Sequence, residues 1–260
     1  MKRVIAIANQ KGGVGKTTTN VNLATCLAQA GKRVLVADMD PQGNTTSGFG
    51  VDKYNVKNSI YSLLLGDAYL EQVALDVGIE GLQLLPANIE LSGAEIELID
   101  QPKREYKLRD IFSHAKYLFD YILIDCPPSL NLLTLNALCA ADSILVPIQC
   151  EYYALEGLTQ LMHTIDLVKR KLNPRLVIEG VVFTMYDTRT NLSAQVVDEV
   201  RQHLSAYTYN SIIPRNVRLS EAPSHGLPIT LYAPSSKGAE AYISLAQEVM
   251  KKQSALASKE

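Results

Sequence analysis

A short run near the amino terminus, Asn9-Gln-Lys-Gly-Gly-Val-Gly-Lys-Thr-Thr18, holds the residues whose types and spacing most directly suggest chemistry. Gly12, Gly13, Val14 and Gly15 stand between an apolar strand-like run and a helical pattern. Glycines let a backbone turn tightly and aim its N–H groups at phosphate oxygens, and a helix start adds its positive end. Lys16 then supplies a cation for β- and γ-phosphates, Thr17 a hydroxyl for Mg²⁺, and Thr18 a contact for an α-phosphate. The common spacing G-x-x-x-x-G-K-[ST] is not met, because Gln10 occupies its first glycine position. In its place the loop carries a second lysine, Lys11, for which that pattern has no use.

Two carboxylate segments follow. Ala37-Asp-Met-Asp-Pro-Gln-Gly43 and Tyr121-Ile-Leu-Ile-Asp-Cys-Pro-Pro128 each place aspartates at the end of a β-branched or aliphatic run. An aspartate at a strand end is common, and Asp38 reads as a helper or a strand-end cap. The order and spacing of both segments behind a glycine-lysine-threonine loop are what make the set specific.

The elements needed to position these groups are legible as alternation. Val4–Ala8, Val34–Ala37, Tyr121–Ile124, Ile144–Val146 and Val177–Phe183 read as buried strands. Thr17–Ala30, Leu132–Ala140, Leu155–Leu172, Leu192–Ala206 and Ala239–Lys252 read as helices, with Gly31-Lys-Arg a stop signal after the first. Strand, helix, strand along the chain predicts an α/β fold: a mainly parallel, twisted sheet with helices on both faces. A single domain over 1–260 is expected, with Asn58–Asp110 a helical elaboration on one edge and 251–260 a frayed polar tail.

Composition narrows the function classes. With 260 residues, 47% hydrophobic and 20% charged, the chain is of ordinary globular type. Its apolar runs are too short to span a bilayer, and Met1-Lys-Arg leads straight into a strand without a signal-peptide pattern, so the cytoplasm is expected. Cys26, Cys126, Cys139 and Cys150 lie far apart and read as buried small hydrophobes, and the histidines show no metal-ligand spacing. Net charge is −2, but 1–160 carries 13 Lys/Arg against 18 Asp/Glu, while 161–260 carries 12 against 9. A polyanion would prefer the carboxy-terminal part.

The loop K-G-G-V-G-K-T resembles the deviant Walker A motif of the ParA/MinD/nitrogenase-iron-protein group of P-loop ATPases. Longer stretches resemble its small ParA/Soj-type chromosome-partitioning ATPases: "DPQGNTTSG" from Asp40, "GAEIEL" from Gly93, "CEYYALEGL" from Cys150, "TRTNL" from Thr188 and "IPRNVRLSEAPSHG" from Ile213. The resemblance implies a P-loop NTPase fold, Mg-dependent hydrolysis of ATP, and a sandwich homodimer in which Lys11 reaches the nucleotide of a second subunit. It implies that Asp40 orients the attacking water and that Asp125, on a Walker B strand, holds Mg²⁺ through water. Pro214 and Asn216 fall in the segment resembling the adenine-recognition loop. Arg189 and Arg218 match positions that bind double-stranded DNA without sequence preference. The implied partner is a ParB/Spo0J-type centromere-binding protein, and the implied location is the nucleoid.

The alternative within the group is a MinD-like, membrane-associated cell-division ATPase, which needs an amphipathic terminal helix. The tail here offers only Leu256 as a sizeable apolar group, so no membrane partner is expected. A nitrogenase-like redox protein needs two cluster-ligating cysteines per subunit, and no cysteine lies between Cys26 and Cys126 to accompany the latter.

Overall fold

A computed structural model describes residues 2–152 and 154–257, the last four by backbone alone. Its strands are β1 (Arg3–Ile7), β2 (Val34–Asp38), β3 (Leu75–Asp76), β4 (Leu82–Leu85), β5 (Tyr121–Asp125), β6 (Ser143–Gln149), β7 (Val177–Tyr186) and β8 (Thr208–Pro214). They form one sheet in the order β3-β4-β2-β5-β1-β6-β7-β8, parallel except where β3 meets β4. The central strands are apolar throughout because both faces are covered. Val4 and Ala6 of β1 join the core on one side, and Ile5 and Ile7 join the core on the other. Helix α1 (Lys16–Gln29) and the helix Lys237–Ala257 pack together on the second side. The helices Leu132–Ala140, Ala154–Lys171 and Asn191–Leu204 bury their apolar stripes on the first. Gly31 ends α1 at φ 78°, its N–H donating to the Ala28 carbonyl at 2.8 Å, as the stop signal requires.

The structure departs from the sequence reading on one side of the sheet and adds an edge strand on the other. The stretch from Asn58 to Asp110 does contain helices, but it also contributes β3 and β4 to the sheet, and β4 pairs in parallel with β2. The run Leu82-Gln-Leu-Leu85 is too short to show a period; the open edge of β2 is what recruits it. The sequence reading also lacks β8, an edge strand in which only Tyr209 and Ile213 are buried. The last helix is described as far as Ala257, and residues 258–260 of the expected frayed tail lie outside the described residues. No helix among the described residues is long and apolar enough to cross a membrane.

β1, β6, β7 and β8 are tied by a buried ionic cluster. Arg3 donates to Glu179 through both terminal nitrogens, one of these bonds measuring 3.0 Å. Glu179 also accepts from the Ser143 hydroxyl at 2.8 Å and the Tyr209 hydroxyl at 2.9 Å. A buried ion pair is tolerated when its remaining lone pairs are satisfied in this way. Gly180 makes room for the cluster: a Cβ there would stand 2.4 Å from the Tyr209 ring and 3.0 Å from the Tyr207 carbonyl oxygen. Gly180→Ala is therefore expected to cost about 1–3 kcal/mol, the usual range for overpacking. The urea midpoint should fall at unchanged slope; an unchanged midpoint would show that Tyr209 moves aside freely.

Candidate active site

β1 ends at the centre of the sheet, with β5 on one side and β6 on the other, and the glycine loop leaves from its carboxyl end. In doubly wound sheets ligands bind outside the carboxyl ends of the strands at such a point. Gly13 and Gly15 adopt φ of 75° and 85°, in the left-handed region that favours glycine. Between them Val14 is buried, and its carbonyl accepts the Thr184 hydroxyl of β7 at 2.8 Å. Gly15 stands at the start of α1 without a side-chain cap, so N–H groups of the first turn remain for a ligand.

A cavity of about 630 Å³ opens over this loop, lined by Gly12, Gly13, Gly15, Lys16, Thr17 and Thr18, with Asp40 facing them from the loop after β2. A second cavity, of about 350 Å³, shares Gly15, Thr18 and Met185 with the first and is lined further by Pro214 and Asn216. The Asn216 side chain caps the helix Val217–Glu221, accepting from the Arg218 N–H at 2.8 Å, and so keeps a donor to offer. Met185 stands at φ 51° where the two cavities meet. For a side chain other than glycine that backbone costs of order 1–2 kcal/mol, and such strain gathers at ligand sites.

Lys16 is buried, and its ammonium donates to the Lys11 carbonyl at 3.0 Å. Burial lowers its pKa, opposed by the charges of Asp125, Cys126 and Asp40. Asp125, completely buried at the end of β5, accepts on Oδ2 from Thr17 Oγ1 and from Thr45 Oγ1, both at 2.7 Å. Its other oxygen, Oδ1, is buried and has no hydrogen-bond partner among the described residues. An anionic oxygen left open beside a threonine hydroxyl is a hard donor set that fits Mg²⁺ or its bound water. Burial raises the Asp125 carboxyl, against the pull of Thr17 and Thr45, and burial followed by the Asp125 charge raises Asp38. Asp38 acts as the strand-end cap: it accepts from the N–H groups of Asp40 and Thr46 and from the Thr46 hydroxyl.

The remaining candidates stand apart from the cavities. Lys11 is not among the residues lining either one; its ammonium pairs with Glu151 at 2.7 Å. Arg189, 81% exposed, grips Asp187 through two nitrogens at 2.8 and 2.6 Å. Arg218 pairs with Glu221 at 2.8 Å. Both arginines follow the carboxyl ends of neighbouring strands, β7 and β8, the same end of the parallel strands from which the glycine loop leaves β1. Thr45, Thr184, Met185 and Glu151 are additions that sequence reading did not supply. Of these, Thr45 and Glu151 carried a signal, lying within the quoted stretches that start at Asp40 and Cys150.

Comparison with known proteins agrees with this geometry. A family model described as an AAA domain matches residues 2–178. The sporulation initiation inhibitor protein Soj of Bacillus subtilis is 56% identical over 249 residues, covering 96% of this chain and 98% of that protein. The chromosome partitioning protein ParA of Myxococcus xanthus is 55% identical over 250 residues, covering 96% and 88%. Among solved structures, a cobyrinic acid a,c-diamide synthase from Mycobacterium smegmatis with bound ADP and magnesium superposes with TM-score 0.84 at 39% identity, covering 98% and 96%. The Pyrococcus furiosus cell division ATPase MinD superposes with TM-score 0.81, covering 96% and 99%, but its identity is 29%, which does not favour the MinD-like alternative. With its deviant glycine loop, its paired strand-end carboxylates and its near full-length likeness to these partitioning proteins, the chain belongs to the ParA/Soj family of chromosome-partitioning P-loop ATPases.

Proposed function

We propose that this chain is an ATP-driven DNA-partitioning switch that works as a nucleotide-sandwich homodimer. The observation that carries the reading is the position of Lys11. Its neighbours in the glycine loop line the cavity, while its own side chain turns to Glu151. A lysine in a phosphate loop that does not serve its own cavity is free to serve a second copy's, as an arginine finger does when supplied in trans. Glu151 presents little obstacle, because both side chains are more than one-third exposed and such pairs contribute at most about 1 kcal/mol.

In this reading the backbone of Gly12 to Gly15 and the Lys16 ammonium hold the phosphates, and Pro214 and Asn216 border the adenine. Thr17 and, through water, Asp125 would hold Mg²⁺, which when bound would neutralise phosphate charge. Asp40 orients a water against the γ-phosphorus as the bond to ADP breaks, and Lys11 of the facing chain stabilises the charge that develops. Positioned acid–base groups contribute on the order of 10²- to 10⁴-fold to rate. The assembled dimer places two copies of Arg189 and Arg218 beside double-stranded DNA, where phosphates replace Asp187 and Glu221 as partners. Such contacts read the backbone and not the bases. A ParB/Spo0J-type partner stimulates hydrolysis and release, and the protein works in the cytoplasm on the nucleoid.

Sedimentation equilibrium tests the dimer. With a slowly hydrolysed ATP analogue the wild type should dimerise, Lys16→Ala should not bind the nucleotide, and Lys11→Ala should bind it yet remain monomeric. With ATP itself, Asp40→Ala should stay dimeric long after the wild type has reverted. A Lys11→Ala chain that dimerises like the wild type would remove the cross-subunit role.

DNA binding gives a separate test. Arg189→Glu or Arg218→Glu should weaken binding to every duplex sequence alike and leave dimerisation intact. The slope of log affinity against log salt should flatten by roughly 0.9 for each phosphate that the variant no longer neutralises. Weakening confined to particular sequences would contradict backbone recognition.

A further inference from the structure

The loop that carries Asp40 ends in Asn44-Thr45-Thr46, the opening of α2 (Asn44–Gly48). Both threonines are completely buried. A buried hydroxyl must find hydrogen-bond partners, and each of these donates to a different carboxylate. Thr46 donates to Asp38 at 2.7 Å and accepts the Ala87 N–H at 2.9 Å, which fixes the far end of the loop to the core. The Asp40 N–H, 3.2 Å from Asp38 Oδ1, fixes the near end.

Thr45 does something different. Its hydroxyl donates to Asp125 Oδ2 at 2.7 Å and accepts from Asn20 Nδ2 of α1 at 3.3 Å. It therefore joins three segments that lie far apart in sequence: the phosphate helix, the Asp40 loop and the end of β5. With Thr17 it occupies one oxygen of Asp125, and the other oxygen is the buried one without a partner among the described residues. A carboxylate held through one oxygen by two fixed hydroxyls has its plane set, and the open oxygen is aimed as a consequence.

We propose that Thr45 is a positioning residue that orients Asp125 toward the metal and registers the Asp40 loop against that same carboxylate. One hydroxyl then links the grip on Mg²⁺ to the placement of the group that orients water. The inference rests on the reading above, in which Asp125 serves magnesium and Asp40 serves water. Partners of this kind, one step removed from the metal, typically alter metal affinity or activity 10- to 100-fold when removed.

The test compares Thr45→Val, which keeps the shape and loses the hydroxyl, with Thr45→Ser, which restores it. Binding of a fluorescent ADP analogue is titrated against Mg²⁺, and kcat and KM for ATP are measured alongside. In Thr45→Val the half-saturating Mg²⁺ concentration should rise on the order of 10- to 100-fold and kcat should fall by a similar factor. KM for ATP, and affinity for the analogue in EDTA, should stay near wild type, and Thr45→Ser should recover both losses. Asn20→Ala, which removes the support behind Thr45, should shift the magnesium midpoint in the same direction by less; it is the measurement to use if Thr45→Val does not fold. A wild-type magnesium midpoint in Thr45→Val, or a defect that serine leaves in place, would overturn the inference and leave the functional reading standing. A wild-type protein whose nucleotide binding and hydrolysis ignore Mg²⁺ would instead overturn that reading, and this inference with it.

Discussion

Asp125 is the group around which the site is assembled. It is a fully buried carboxylate at the end of a central strand, and it accepts hydrogen bonds from Thr17 of α1 and Thr45 of α2. Hydrogen bonds to a charged acceptor contribute about 1.5–3 kcal/mol each, yet burial still raises its pKa, and a second buried carboxylate, Asp38, ends the adjacent strand. The fold thus carries two carboxyl groups in a place where neither is well solvated by water. A divalent cation beside Asp125 Oδ1 would relieve that repulsion, which ties the geometry of three chain segments to occupancy of the site.

The same economy appears in the charges outside the cavities. Lys11, Arg189 and Arg218 each have an acidic partner within their own chain, Glu151, Asp187 and Glu221. In all three pairs the basic side chain is more than one-third exposed, and in the proposed mechanism each exchanges its acidic partner for a phosphate. On that mechanism a chain with net charge −2 meets a polyanion without a permanently basic surface. What changes its affinity, in the proposed mechanism, is the doubling of these weak contacts in a dimer.

Much of this was legible in the sequence, for a physical reason. The phosphate loop is a local structure: its glycine dihedrals, its lysine and its helix start lie within a few residues, so letters and spacing suffice. The central strands were legible because burial on both faces leaves no polar alternation to misread. The missing parts all depend on distant segments meeting. β4 and β8 are short or edge strands stabilised by the neighbours they join. Thr184 reaches the loop through Val14 from 170 residues away in sequence, and Glu151 finds Lys11 across 140. Met185 in a left-handed conformation has no counterpart in composition at all, since only the surrounding packing holds it there.

Mixing two inactive variants tests the central claim most directly. A Lys16→Ala chain lacks the cation for its own nucleotide but keeps Lys11, whereas a Lys11→Ala chain keeps Lys16 and lacks the lysine it would lend. If Lys11 acts across the interface, a heterodimer of the two contains one complete site, built from Lys16 of one chain and Lys11 of the other. Steady-state ATP hydrolysis, close to zero for each variant alone, should then reappear on mixing and rise with the proportion of heterodimer. A mixture in which sedimentation detects the heterodimer, yet hydrolysis stays as low as in the separate components, would show that Lys11 does not act across the interface, and the sandwich mechanism would be contradicted.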